Sequence, residues 1–353
     1  MEAAAASARA LRIRGVTPGW AFAALSFLAV AFAVGVVAGP VDIGVGDVLR
    51  SLGEKLGIPG VTSPLDPTQE SILWEIRVPR VMLAALVGGM LAVAGATYQG
   101  VFHNPLADPY LLGVAAGAGL GATLAIAYLP NALAGRQVLP FAAFAGAAVA
   151  VVLAYGIGRA AGRERDAATL VLAGVTVASF FTALQTFVQQ QNTETLQEVT
   201  SWILGSLPNT GWSDVTALAP YVLVSCGIIV AMRRVVDVLS LGDLEAASLG
   251  VDVRRTRLVL VAAATIGTAA AVAVCGLIAF VGIIVPHAIR LVVGTSYRGL
   301  LPLSFVVGAG FLILADVVAR TALAPAEVPI GVITALFGAP FFAFVLRTRG
   351  GRA

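Results

Sequence analysis

Residues 81–110 read VMLAALVGGMLAVAGATYQGVFHNPLADPY. No charged side chain interrupts the run from Val81 to Phe102, whose length suits the roughly 20 apolar residues that carry an α-helix across a bilayer core. The run then stops at a loop holding Asn104, Pro105, Asp108 and Pro109. Each proline removes an amide donor and restricts the residue before it, so one helix cannot run through the loop. An uncharged, Ala- and Gly-rich span closed by a particular polar loop predicts a helical membrane protein, and the rest of the chain agrees.

Of 353 residues, 59% are hydrophobic and 12% charged, too little polar surface for a water-soluble globule of this size. Gly occurs 39 times, which suits closely packed spanning helices rather than the alternating segments of a β-barrel. The expected fold class is all-α, a polytopic membrane protein of about ten transmembrane helices. The expected division is a single transmembrane domain over 1–353: a first helix at 19–39, helices two to five within 81–187, a sixth at 215–232, a polar loop at 236–256, and helices seven to ten within 258–347. The break between the seventh and eighth is expected at Cys275-Gly276. The first apolar stretch exceeds an ordinary signal-peptide core and is expected to be retained.

Arginines cluster at residues 9–14, 159–165, 233–234, 254–257 and 347–352, and the intervening loops carry few, so both termini are expected on the cytoplasmic side. The segment Val48–Leu56 predicts a short amphipathic surface helix. In the polar loop, Ser240 followed by Asp243 reads as a capping box, with a helix over Leu241–Leu249 stopped at Gly250. Gly113, Gly117 and Gly121 recur every fourth residue and are expected to seat a neighbouring helix.

Several function classes drop out. Lys55, the lone lysine, lies in GEKLG and cannot close a phosphate-binding P-loop, so ATP hydrolysis must belong to another subunit. His103 and His287 have no acidic cluster at metal-ligand spacing, Cys226 and Cys275 read as packing residues, and no hydrolase triad or HExxH is present. No metal or cofactor is expected in this chain. Within the spans, Arg290 and Asp316 are the ionisable candidates, with Arg320 at the outer edge, a sparse set for an ion-coupled carrier.

The run WEIRVPRVMLAALVGGMLAVAGATYQGVFHNPLADPYLLGV, followed in order by LVLAGV, SWILGSL, LGDLEAASLGV, GLIAFVGIIVPHAIR and ADVVARTALAPAEVPIGVITALFGAPFF, resembles the FecCD/BtuC-like permeases of type II ABC importers. The resemblance implies a subunit in the bacterial cytoplasmic membrane that imports an iron–siderophore complex, with haem or cobalamin as alternative cargoes. It also implies a homodimer or pseudo-dimer served by two cytoplasmic ATPases, which hold ATP and Mg, and by an extracytoplasmic substrate-binding protein; lipid is the surrounding partner and nucleic acid none. From another class, an ion-coupled secondary carrier is the rival.

Residue by residue, the resemblance assigns Asn104 and Leu106 to a cytoplasmic gate. It places Ala167 and Ala168 at a second gate, where some relatives carry polar residues. Arg77, Arg80 and Arg320 match outer arginines that pair with carboxylates of the binding protein, which requires exposed guanidinium groups; membrane-interface snorkelling is the other reading. Leu241, Gly242, Asp243, Glu245, Ala246, Ser248, Leu249 and Gly250 match the coupling helix that meets the ATPase, and Gln185 and Gln189 match pathway-lining positions.

Overall fold

The computed structural model describes residues 17–129, 138–160, 167–207 and 211–350, and these are helical almost throughout. In chain order the helices are α1 (Pro18–Val37), α2 (Val45–Lys55), α3 (Pro67–Ser71), α4 (Val78–Val101), α5 (Val114–Tyr128), α6 (Val138–Ala160), α7 (Ala167–Gln191), α8 (Leu196–Ile203), α9 (Trp212–Ala231), α10 (Arg233–Leu239), α11 (Asp243–Ser248), α12 (Val253–Cys275), α13 (Val281–Val293), α14 (Tyr297–Thr321) and α15 (Ile330–Gly350). Seven segments are long and apolar enough to cross a membrane: α1, α3–α4 as one run, α6, α7, α9, α12 and α14. With the shorter apolar helices α5, α13 and the apolar part of α15, they make ten apolar helical segments among the described residues.

Helix α4 is the hub. It is apolar all round, as a helix buried on every side must be, and nearly every residue from Val78 to Val101 is buried. Its glycines let neighbouring backbones close in. A Cβ on Gly95 would land on the Gly282 carbonyl at the start of α13. Between α5 and α6, a Cβ on Gly117 would strike Gly146 in the same way. In lipid, where apolar side chains gain little by leaving the solvent, such close approach is a main source of helix–helix attraction.

The regular glycine spacing expected in the third span is therefore used, with one difference. Gly117 and Gly121 pack against Gly146 and Ala142, whereas Gly113 has φ 80° and caps the N-terminus of α5. Gly276, at φ 72°, ends α12 where the sequence placed the break. The surface helix expected at 48–56 is α2, and Trp74 ties it down through an indole N–H donated to Ser51 at 2.9 Å.

The capping box expected in the polar loop does not form. Ser240 turns back to donate to the Asp237 carbonyl at 2.7 Å, Gly242 occupies the N-cap of α11, and α11 spans only Asp243–Ser248. The serine hydroxyl donates back to a carbonyl in its own turn instead of accepting from the amide three residues on, a local competition that sequence spacing does not reveal. Gly250 does stop the helix, at φ 83°, with its amide on Ala247 and that of Val251 on Ala246.

Candidate functional site

The loop Phe102–Gly113 between α4 and α5 is held by polar contacts on several sides. Asn104 folds its side chain back to accept from the Leu106 amide at 2.9 Å, while its carbonyl accepts from Ala107. Asp108 accepts from the Tyr110 amide at 2.8 Å. The Tyr110 hydroxyl donates to the Ile278 carbonyl at 3.0 Å, which fastens the loop to the elbow between α12 and α13. Gln99, at the end of α4, donates to the Gly282 and Ala107 carbonyls and accepts from Arg290 of α13. Arg290 also donates to the Tyr297 hydroxyl at 3.2 Å, so α4, the loop, α13 and α14 share one polar knot. Such Asx turns fix a loop shape that a merely flexible connector would lack. From this frame Asn104 and Leu106 both stand exposed.

Ala168, at the start of α7, is also exposed; Ala167 heads the same helix, but its side chain lies outside the described set. About two turns further on, Gly174 packs directly on the Leu111 carbonyl, which brings the first half of α7 against the end of the loop. The structure thus gathers both expected gate elements on one side of the molecule. Gln185 turns toward α5, where Gly119 leaves it room, and is half-buried like Gln189.

The loop between α9 and α12 is a rigid appendage. Arg257 of α12, itself buried, grips Asp243 at 2.6 and 2.8 Å. Asp237 of α10 accepts from the Tyr297 amide at 2.6 Å and from Ser296 at 3.2 Å, capping α14. Within the expected ATPase-contact set the side chains divide. Ala246 is fully buried against the chain's own core, which corrects its assignment as a contact, because alternate faces of so short a helix cannot both be free. Leu241 and Leu249 are exposed, as are Glu245 and Ser248, with Gly242 and Gly250 at the turns. Leu244, missed in the sequence reading, is more exposed than either of these leucines, at 84%. Its signal was available: an apolar residue inside an otherwise polar stretch, one step from Asp243 and Glu245.

At the other end of α4 lies a cluster of charge. Asp316 of α14 is 1% exposed and accepts from Arg80 at 2.8 and 3.0 Å, with Arg320 Nε 3.4 Å away. Arg80 also donates to both oxygens of Glu327 at 2.9 Å. Arg77 donates to the Val37 carbonyl at 2.8 Å, to Val36 at 3.2 Å and to Val41, and Arg320 donates to Gly35. The carbonyls of Gly35, Val36 and Val37 are among those that a helix leaves unpaired at its C-terminus, here that of α1, where cations are favoured. The exposure expected of Arg77, Arg80 and Arg320 is therefore corrected: all three are buried and engaged within the chain. Glu327, on the α14–α15 loop, is the member of the cluster whose side chain reaches the surface, at 39% exposure. Its hydrogen bond from Arg80 holds its carboxyl below the usual range.

His103 donates from its ring to the Leu239 carbonyl, and His287 stacks edge-on against Phe341 at 6.0 Å. The cysteines are free thiols, Cys275 buried and Cys226 half-buried beside Met90.

The geometry is that of a helical membrane body with a shaped loop on one face, a stiff polar appendage beside it and an internally paired charge cluster on the other. The FecCD transport family model matches residues 27–348. The ABC transporter permease YvrB of Bacillus subtilis is 39% identical over 93% of this chain and 94% of its own length. The cobalamin import permease BtuC of Halobacterium salinarum is 42% identical over 81% of this chain and 76% of its own. Relatives named as an iron(3+)-hydroxamate permease of Bacillus subtilis and a hemin permease of Yersinia pestis are each 39% identical. A solved inward-facing metal-chelate type ABC transporter superposes with a TM-score of 0.80 at 28% identity, over 94% of this chain and all of its own. The chain belongs to the FecCD transport family and is the multi-pass membrane permease of an ABC importer.

Proposed function

We propose that the chain carries a metal chelate inward across the cytoplasmic membrane, with a ferric siderophore as cargo, as one half of a homodimer whose two ATPase partners bind ATP and Mg. The observation that supports this best is the appendage at 236–256. It offers Leu241, Leu244 and Leu249 to an apolar groove while Arg257–Asp243 and Asp237–Tyr297 hold it rigid, so motion imposed on it reaches α12 and α14. Asn104 and Leu106 form the inner gate with Ala167 and Ala168 opposite, and both termini face the cytoplasm. Gln185 and Gln189 border the pathway.

Among the described residues the ionisable groups expected within the spans are internally paired: Arg290 with Gln99 and Tyr297, Asp316 with Arg80 and Arg320. That pairing suits passage of a bulky chelate between apolar walls better than binding of a driving ion, which favours an ATP-driven permease over a secondary carrier. On the outer face, a carboxylate of the substrate-binding protein competes with Glu327 for Arg80, while Arg77 and Arg320 keep that surface in shape.

Cobalamin is the second reading, favoured by the 42% identity to a cobalamin permease. The deciding experiment reconstitutes the permease with its ATPase and binding protein in liposomes and offers a ferric hydroxamate, haem and cobalamin in turn. ATP-dependent uptake of the ferric chelate alone is the expected result. Uptake of cobalamin instead would overturn the cargo, and uptake driven by an ion gradient without the ATPase would overturn the proposal as a whole.

A further inference from the structure

His103 immediately precedes Asn104 and has φ 51°, a left-handed conformation uncommon outside glycine that histidine, like asparagine and aspartate, enters more readily than most residues. A side-chain contact helps to hold it there. Its Nε2 lies in hydrogen-bonding contact with the carbonyl of Leu239, the last residue of α10. A carbonyl can only accept, so Nε2 carries the proton. The same carbonyl accepts from the Gly242 amide at 3.1 Å, in the turn that launches α11. One acceptor therefore serves both the start of the ATPase-facing helix and the residue beside the gate.

The neighbourhood makes this contact mechanical rather than incidental. Gly100, three residues before His103, is packed between Val236 of α10 and Tyr297 of α14, so α4 ends against the appendage with no room for a side chain. Asp237 fixes α10 to the first turn of α14. Asn104 in turn hangs its amide on the Gln99 carbonyl at 3.2 Å. A displacement of α10–α11 thus has two routes into the membrane body: through Asp237 into α14, and through His103 into the loop that holds Asn104 and Leu106.

We propose that His103 is a positioning residue that latches the gate loop to the ATPase-facing segment, so that movement of Leu239 is handed directly to Asn104. The proposal rests on the reading of Asn104 and Leu106 as gate residues and of 241–250 as the ATPase contact.

The test uses the whole complex in liposomes and compares His103→Asn, His103→Gly and His103→Gln. Asparagine and glycine both suit the left-handed backbone but cannot reach Leu239, whereas the glutamine amide can stand where Nε2 stands. Two readouts are taken: chelate transported per ATP hydrolysed, offering ferric hydroxamate, haem and cobalamin, and maleimide labelling of Leu106→Cys with and without ATP–vanadate. The expected result is a five-fold or greater loss of transport per ATP in the asparagine and glycine variants, with ATPase rates within two-fold of the parent. The vanadate-dependent change in labelling should disappear with it, and the glutamine variant should retain both. Unchanged coupling in the asparagine and glycine variants, or a glutamine variant as defective as asparagine, overturns the latch. The underlying gate reading fails separately, if Asn104→Ala and Leu106→Ala leave transport and labelling unchanged.

Discussion

Asp316→Asn separates a structural carboxylate from one that binds a driving ion. In the folded chain two guanidinium groups converge on this 1%-exposed side chain: Arg80 at 2.8 and 3.0 Å and Arg320 at 3.4 Å. Glu327 supplies a second negative charge, so Arg80, Arg320, Asp316 and Glu327 are balanced. Asparagine keeps the shape, and its carbonyl can still accept from one arginine, but its NH2 then faces the other and the cluster holds an uncompensated buried cation. Breaking a buried ion pair from one side costs about 3–5 kcal/mol. For a chain of this length each kcal/mol moves the unfolding midpoint by roughly 2 °C, so a fall of about 6 °C or more is expected in detergent. Adding Arg320→Gln to the variant removes the stranded charge and should recover about half of the loss, since neighbours in one network are strongly coupled. Tryptophan fluorescence during a thermal ramp measures both. A midpoint within about 1 °C of the parent, together with abolished transport, would refute the structural assignment and revive ion coupling through Asp316.

Four further outcomes are expected. Gly95→Ala pushes a methyl onto the Gly282 carbonyl and forces α4 and α13 apart, at about 1–3 kcal/mol, readable as a lowered unfolding midpoint. Leu244→Glu leaves that midpoint unchanged because the side chain is already exposed. It should weaken ATPase binding about ten-fold or more, as burial of a leucine contributes roughly 1.5–3 kcal/mol, and surface-immobilised partner measures it. Asp108 sits half-buried in the gate loop, and desolvation raises its carboxyl to about 6 despite the hydrogen bond from Tyr110. The folded chain then binds more protons than the unfolded one between about pH 4 and 6, so stability falls as pH rises through that window. Asp108→Asn should stabilise by up to about 3 kcal/mol at pH 7.5 and lose the advantage near pH 4, as thermal midpoints across pH will show. Glu327→Gln weakens the internal claim on Arg80 and should tighten binding-protein affinity at low salt, an effect that titration at two ionic strengths checks.

How far the fold could be read from the chain follows from which forces are local. Span length, charge bias and helix stops depend on neighbours in sequence, and they placed α4, the break at Gly276 and the stop at Gly250. Ser240 was misjudged because its hydroxyl can either donate to a carbonyl behind it or accept from an amide ahead of it, and spacing alone does not rank the two. The outer arginines were misjudged for the opposite reason. Arg80 meets Asp316 across 236 positions, and Arg77 reaches carbonyls of α1 some 40 residues earlier. A charged residue near a helix end looks exposed unless its distant partner is known. The sequence did contain half of the answer, since Asp316 was the carboxylate expected within a span and a buried carboxylate requires a cation.

The same contrast explains why the loop at 102–113 was easy to locate and its connections were not. Two prolines, an asparagine and an aspartate announce a shaped turn from residue type alone. What the turn is fastened to depends on Ile278, Gly282, Arg290 and Leu239, each brought in by packing of helices far along the chain. Three of these four anchors belong to the α12–α13 elbow or to α13, and one ends α10. A loop tied only to the elbow would follow the membrane helices and respond to the ATPase late, after they had tilted. On the proposed gate and latch readings, a loop tied also to Leu239 responds to the appendage itself, and the timing of gate opening relative to helix tilt depends on how many of these bonds survive the stroke. Weakening the elbow side with Tyr110→Phe, which removes the hydroxyl bonds to Ile278, should therefore leave the vanadate-dependent labelling of Leu106→Cys intact while His103→Asn abolishes it. Loss of the labelling change in both variants would mean that the gate reads the helices and not the appendage.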